Sequence, residues 1–356
     1  MSGFTVLLPV HRPPAMLPLA IESVLAQTVT DFDLVVICDG APPETAACAA
    51  EYAARDVRVR VLDLPKGERH GEAHRHRVLA EADEVERPLV AQLADDDLWF
   101  PEHLAELDRL LAEVDFGNLL QARLTPDGAV AVHHGDLADP RTRERMRTER
   151  FNFFGPSVAG YRLAAYRRLV HGWEPAPPDL WSDLYMWRAF LDTPGLRLAT
   201  RFSVQGVSLP AAERTDADLA ERAAESRRVA AGLLGSAGAR DDFRQRAIAD
   251  LWTHLDTAVT HRDQLHDAHD RAVAEIAHLT TQLEATHAAF VGAGEEAGRQ
   301  RQVSLRRRAR IRKLRRRTTR LRRSNAALAE ELATLRASRS WRLTAPLRRL
   351  TGRRDR

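Results

Sequence analysis

The feature that most constrains this chain is the alternation of short apolar runs with helical segments across its first hundred residues. Residues 4–10 read as a buried strand, and 16–27 have helical spacing. Residues 33–40 form a second apolar run ending in Asp39-Gly40, and 44–55 are alanine-rich and helical. A third strand at 57–64 and a helix at 74–82 follow, and a fourth strand at 88–93 runs into Asp95, Asp96 and Asp97. Apolar strands separated by helices predict an α/β domain whose parallel sheet is covered on both faces. Ligands of such sheets sit beyond the carboxyl ends of the strands. Here those ends carry His11, Asp39 and the three aspartates.

The pattern loosens between 117 and 209 and becomes rich in aromatic residues, among them Phe151, Phe153, Phe154, Trp173, Trp181 and Trp187. Pro175, Pro177 and Pro178 mark a loop before a helical run at 181–191. This stretch reads as the second half of the same domain. Past 211 proline becomes rare and the chain turns helical. Leu265, His269, Ala272, Ile276, Leu279, Leu283, Thr286 and Phe290 keep alternating spacings of four and three, which is a heptad seam. Gly292, Gly294 and Gly298 interrupt it. A second seam places Ile311, Thr318, Asn325 and Leu332 in one core position and Leu314, Leu321, Leu328 and Leu335 in the other. An asparagine in such a seam favours a two-stranded, in-register coiled coil, so a homodimer is expected. The layout expected is a catalytic domain at 1–210, a helical linker at 211–240, a coiled coil at 241–337 and a basic amphipathic tail at 338–356.

Charge sharpens the division. Residues 299–356 hold 22 Arg/Lys and 3 Asp/Glu, a net of +19, so the remainder carries −16 within a total of +3. Fourteen of the 25 residues at 299–323 are basic and none is acidic. An acidic body with a basic tail suits an anionic partner for the tail. The chain has no apolar run of about 18 residues, the length a membrane helix needs. Its start lacks the basic and apolar regions of a secretion signal. The two cysteines, Cys38 and Cys48, form no CxxC pair. A disulfide framework and a thiolate zinc site are therefore disfavoured, and a reducing cytoplasm fits.

Asp95-Asp96-Asp97 is the strongest local chemical signal. Adjacent carboxylates repel unless they are solvated or bound to a cation, and oxygen ligands suit Mg²⁺ or Mn²⁺, which also bind substrate phosphates. Alone, three aspartates are more simply a solvated turn or a helix cap before Pro101. Their place at the end of a buried strand favours the cation. His70, His74 and His76 are close in sequence, but no further ligand at zinc spacing accompanies them, and His133-His134 reads as surface loop.

Pro9-Val10-His11, Ser23 through Thr28, Asp33 through Gly40, and the acidic run through Pro101 occur in that order. Together they resemble the nucleotide-binding half of family 2 glycosyltransferases of the Rossmann-like GT-A fold, over residues 4–209. The resemblance implies an inverting enzyme that takes a sugar from a nucleoside diphosphate donor. It implies that Pro9 and His11 lie along the base and ribose and that Asp39 accepts a hydrogen bond from the base. It places Asp95 toward the ribose or sugar, and Asp96, with Asp97 beside it, on a divalent metal as the DXD motif. Arg75 matches an arginine near the donor phosphates, where its forked donors pair with phosphate oxygens. Asp183 matches the general base. The chain departs from the pattern at Cys38, His76, Ala94 and Ser182.

The basic segment and the stretch from Ser338 to Leu350, with Trp341, suit an anionic membrane surface. The terminal segment is similar to one found on some bacterial glycosyltransferases. These features imply a peripheral enzyme on the inner membrane face, acting on a glycan or lipid-linked acceptor in cell-envelope polysaccharide synthesis. Two other classes compete: a zipper-like nucleic-acid-binding protein, and a silent coiled-coil scaffold. The basic residues overlap Leu314 and Leu321 instead of preceding the zipper, against the arrangement of a basic zipper.

Overall fold

The computed structural model describes residues 3–292 and 300–338. Its two units are Met1–Leu251 and Trp252–Arg356.

In the first unit, β1 (Phe4–Val10), α1 (Leu17–Leu25), β2 (Phe32–Asp39), α2 (Pro43–Ala53), β3 (Val59–Leu64), α3 (Glu72–Glu81) and β4 (Leu89–Gln92) follow one another as the apolar pattern dictates. These strands are parallel, with β1 between β2 and β4. β1, β2 and β4 are buried on both faces, which explains why they read as unbroken apolar runs, whereas the edge strand β3 is partly exposed. Pro18 and Pro43 sit in the first turns of α1 and α2, where a missing N–H costs nothing.

The less regular half is also sheet. It contains β5 (Asp97–Trp99), α4 (His103–Glu113), β6 (Phe116–Leu124), β7 (Val130–Val132), α5 (Pro140–Thr148), β8 (Ala159–Arg162), α6 (Leu163–Tyr166), α7 (Ser182–Asp192) and β9 (Leu198–Ser208). The sheet order is β3-β2-β1-β4-β8-β6-β9-β5, with β7 beside β6. β8 enters antiparallel to both β4 and β6, so the sheet turns mixed at that point. The register of β6 against β9 shifts twice between Asn118 and Gln121, and such irregularities re-aim side chains beside a site.

The Ser23–Thr28 run has a structural purpose. Gln27 Nε2 donates to the Phe100 carbonyl at 2.8 Å, while its Oε1 accepts from Leu104 N–H at 2.9 Å. Thr28 N–H donates to the Pro101 carbonyl, and Ser23 Oγ accepts from Trp99 N–H at 3.3 Å. The end of α1 thus clamps the segment after the acidic run. Trp99, fully buried, stacks on His103 at 4.0 Å and anchors the other side.

The first unit continues past the boundary expected at 210. Helix α8 (Leu219–Leu233) opens with an Asp218/Glu221 capping box, and Arg214 forks onto both oxygens of Glu225. Phe243 and Ala247, in the first turns of α9 (Ala237–Gly292), pack with Phe100, Val204 and Val207 in a second apolar cluster. Arg240 and Arg244 both pair with Glu102. Segment 211–240 is therefore part of this unit rather than a linker.

In the second unit the seams appear as the spacing predicts. Leu265, Ala272 and Leu279 of α9 are buried, as is Leu332 of α10 (Gln300–Ala337). Glu275 pairs with Arg317 at 3.0 Å and His266 meets Arg336 at 2.6 Å, so numbers rise along α9 as they fall along α10. The two helices run antiparallel within this unit. Asn325 lies partly buried in this seam. Gly294, Gly298 and the tail beyond Ser338 lie outside the described residues, as does the Phe290 side chain. No helix of the described residues is long and apolar enough to cross a membrane.

Candidate active site

Because β1, β2 and β4 are parallel, their carboxyl ends share one edge of the sheet. The sequence-selected residues fall into three groups along it.

The acidic run leaves the end of β4. Asp95 is buried and faces Arg12, whose Nε lies 3.0 Å from its carboxylate. Burial raises its pKa to about 7, and the charge of Asp96 adds to the rise while Arg12 opposes it. Asp96 receives Arg12 Nη1 at 3.0 Å, and Arg222 of α8 approaches it at 3.6 Å. Asp97 turns inward and accepts from Ser157 Oγ; burial first, and then the Asp96 charge, push its pKa up. Asp95 and Asp96 thus face two guanidiniums, and Asp97 faces a hydroxyl. Neither arginine stood out in the sequence, although Arg12 follows His11 directly.

These residues bear on the expected metal. Among the described residues no three His, Cys, Asp or Glu side chains converge as a ready-made cage. Mg²⁺ and Mn²⁺ commonly take one or two carboxylates and complete their shell with substrate phosphates and water. Carboxylates already held by arginines do not fit a resident structural metal; they fit a cation that arrives with phosphate ligands of its own and displaces an arginine from Asp96.

The second group surrounds Asp39. Burial disfavours its charge, yet Lys66 and the Gly67 N–H outweigh that and hold its pKa below the usual carboxylate value. His74 Nε2 lies 3.4 Å from the same carboxylate. Gly71, at φ +67°, closes over it: a Cβ there would stand 2.5 Å from Asp39 Oδ2. Gly71→Ala should therefore cost about 1–3 kcal/mol from strain and collision. It should also weaken ligand binding near Asp39, measured by thermal melting and titration. An unchanged melting temperature would contradict this packing. Pro9 is half-buried in β1 and His11 is exposed beyond it.

The third group shares a cavity of roughly 760 Å³. Arg75 and Asp183 both line it, together with Asn118, Gln121, Asn152 and Trp181; Pro9, His11, Asp39, Asp95, Asp96 and Asp97 do not. Arg75 is buried, with its guanidinium 4.2 Å over Trp173 and an Nη donor on the His70 carbonyl at 3.1 Å. Its buried Nε has no hydrogen-bond partner among the described residues, so a donor remains for a ligand. Asp183 lies in the first turn of α7. Burial raises its pKa; the Leu184 N–H and Asn152 Nδ2, at 2.7 and 2.8 Å, moderate that rise. Asn152, thirty-one positions away in sequence, gave no signal of this role. The histidines do not form a cluster: His76 bonds to the Tyr166 hydroxyl at 2.7 Å, while His70 and His133 line the cavity. His133 is an exposed loop residue, as expected, at the edge of this cavity.

Residues 5–170 match glycosyl transferase family 2. The succinoglycan biosynthesis protein ExoW of Rhizobium meliloti (strain 1021) is 32% identical over 152 residues, which cover 41% of this chain and 46% of that protein. The uncharacterized glycosyltransferase EpsJ of Bacillus subtilis (strain 168) is 30% identical over 63 residues, 18% of each chain. The chain thus spans less than half the length of these curated relatives. Residues 1–349 of S. aureus TarS superpose with a TM-score of 0.47 at 15% identity, covering 60% of this chain and 62% of that one.

Proposed function

From the premise that this chain carries a glycosyl transferase family 2 domain over residues 5–170, we propose an inverting transferase. It moves a sugar from a nucleoside diphosphate sugar to a glycan or lipid-linked acceptor. The observation that supports this best is one cavity holding both a carboxylate of raised pKa, Asp183, and a buried guanidinium with an unused donor, Arg75.

The acceptor hydroxyl gives its proton to Asp183 as its oxygen attacks the anomeric carbon. The bond to the diphosphate breaks on the opposite face, and the leaving oxygen keeps the electron pair. Arg75 meets the charge that develops there. Pro9 and His11 flank the base and ribose, Asp39 orients the base, and Asp95 faces the ribose or sugar. A divalent cation, Mn²⁺ or Mg²⁺, would be held by Asp96 with Asp97 beside it and would neutralise the diphosphate.

Asn152→Ala removes a hydrogen bond that favours the charged form of Asp183. Its pKa then rises further, and the base is ionised only at higher pH. The acid limb of the pH–rate profile should move upward, with transfer at neutral pH falling about tenfold. A limb that stays in place would separate Asn152 from the base.

The exposed cations of α10, from Arg306 through Arg323, support a membrane-facing role on an anionic inner leaflet and a place in cell-envelope polysaccharide synthesis. The transferase reading is tested by titrating the full chain with UDP and GDP, each with and without Mn²⁺. Manganese-dependent binding of one nucleotide is expected. A folded chain that binds neither UDP nor GDP counts against this reading, leaves dTDP and CDP donors to be titrated in turn, and strengthens the scaffold alternative.

A further inference from the structure

We propose that Arg150 and Trp181 form the acceptor subsite and select an acceptor sugar carrying an anionic group; the inference rests on the transferase reading above. Four arginines line the cavity, Arg69, Arg75, Arg123 and Arg150, against two carboxylates, Asp183 and Glu213. Arg123 is matched by Glu213 at 2.8 Å. Arg75 has Glu72 at 4.0 Å and belongs to the phosphate side of the site. The Arg69 guanidinium has no carboxylate among the described residues, but its Nη2 donates to the Pro177 carbonyl at 3.4 Å. Arg150 is different: among the described residues neither a carboxylate nor a carbonyl takes its guanidinium, whose carbon sits 4.7 Å over the Trp181 ring.

Trp181 is the aromatic residue suited to meet a ligand there. It is 43% exposed, whereas Trp173 and Trp187 of the same region are 2% and 1% exposed and belong to the core. Sequence position ties this pair to the base. Arg150 precedes Asn152 by two residues, Trp181 precedes Asp183 by two, and Asn152 donates to Asp183 at 2.8 Å. The same two segments that orient the carboxylate therefore carry the aromatic ring and the uncompensated cation. A pyranose whose apolar face rests on Trp181 brings a hydroxyl to Asp183. A guanidinium beside that ring, in a cavity with more cations than anions, favours an acceptor whose carboxylate or phosphate it can grip with two N–H donors. The anionic group has two possible sources: a uronate carboxylate on the accepting ring, or a phosphate at the sugar's reducing end.

The test uses the full chain saturated with the nucleotide it binds. Methyl β-glucuronide, glucose 1-phosphate and methyl β-glucoside are compared by saturation-transfer NMR in the wild type, Arg150→Gln and Trp181→Ala. One or both anionic sugars should bind about tenfold or more tightly than the glucoside, the margin of a hydrogen bond to a charged group. The one preferred identifies the source of the charge. Arg150→Gln should erase the preference while keeping glucoside and nucleotide binding, and Trp181→Ala should weaken all three sugars. Equal binding of the three, no binding of any, or a preference that survives Arg150→Gln would overturn the proposal. If no nucleotide binds at all, the transferase reading itself fails, so the two failures are distinguishable.

Discussion

Asp183→Asn is expected to bind nucleotide as the wild type does and to lose transfer by roughly a thousandfold, within the range attributed to a positioned general base. The substitution keeps the volume and removes only the basic oxygen. Its amide oxygen can keep the Leu184 N–H that Oδ1 accepts in the native protein, and the Asn152 amide, which donates to Oδ2, can rotate to present its own oxygen to the new NH2. Folding should not suffer. Burial raises the Asp183 pKa in the folded state, so the native protein binds this proton more tightly than the unfolded chain. The wild type therefore loses stability as pH rises from the ordinary carboxylate range through the raised value, and the asparagine variant does not. Single-turnover transfer, nucleotide titration and thermal melts at two pH values separate these effects. Full turnover by the variant would remove Asp183 from the base role.

The second large effect is expected at Asp96. Asp96→Ala should abolish the manganese-dependent part of nucleotide binding, a loss of about a hundredfold or more if the cation supplies several kcal/mol. Its neighbours cannot replace it in kind. Asp95 is buried against Arg12, with its pKa raised to about 7, and Asp97 is turned to Ser157. Asp96 is the carboxylate of the three on which Arg12 and Arg222 converge. Removing it also removes a negative charge that raises the pKa of both neighbours, so Asp95 should ionise at lower pH in the variant. Stability should change little, because Arg12 keeps Asp95. The measurement is the same nucleotide titration with and without Mn²⁺. An Asp96→Ala variant with undiminished manganese dependence would move the cation to other ligands.

The aspartates and Arg75 were legible because each stands in a local pattern: a strand end, an acidic run, or a motif with a fixed neighbour. Asn152, Ser157 and Arg222 were not. Each acts through a partner far along the chain, and nothing in its immediate neighbours distinguishes it from any other polar residue. The same holds for Trp181 and Trp187, which look alike in sequence. They separate only because α7 turns one toward the cavity and the other into contact with Phe116 and Phe154.

The sequence by itself determined the elements whose signal is local. Apolar runs too continuous for an exposed sheet became β1, β2 and β4, and heptad spacing became the seams of α9 and α10. Tertiary structure decided what those elements meet. A heptad seam specifies an apolar stripe but not the direction of the helix against it, and the contacts of α9 with α10 fix that direction as antiparallel. The acidic run likewise specifies charge in search of a counter-charge. Only the fold brought Arg12 and Arg222 to it, because long-range pairing is set by packing, which short sequence windows do not encode.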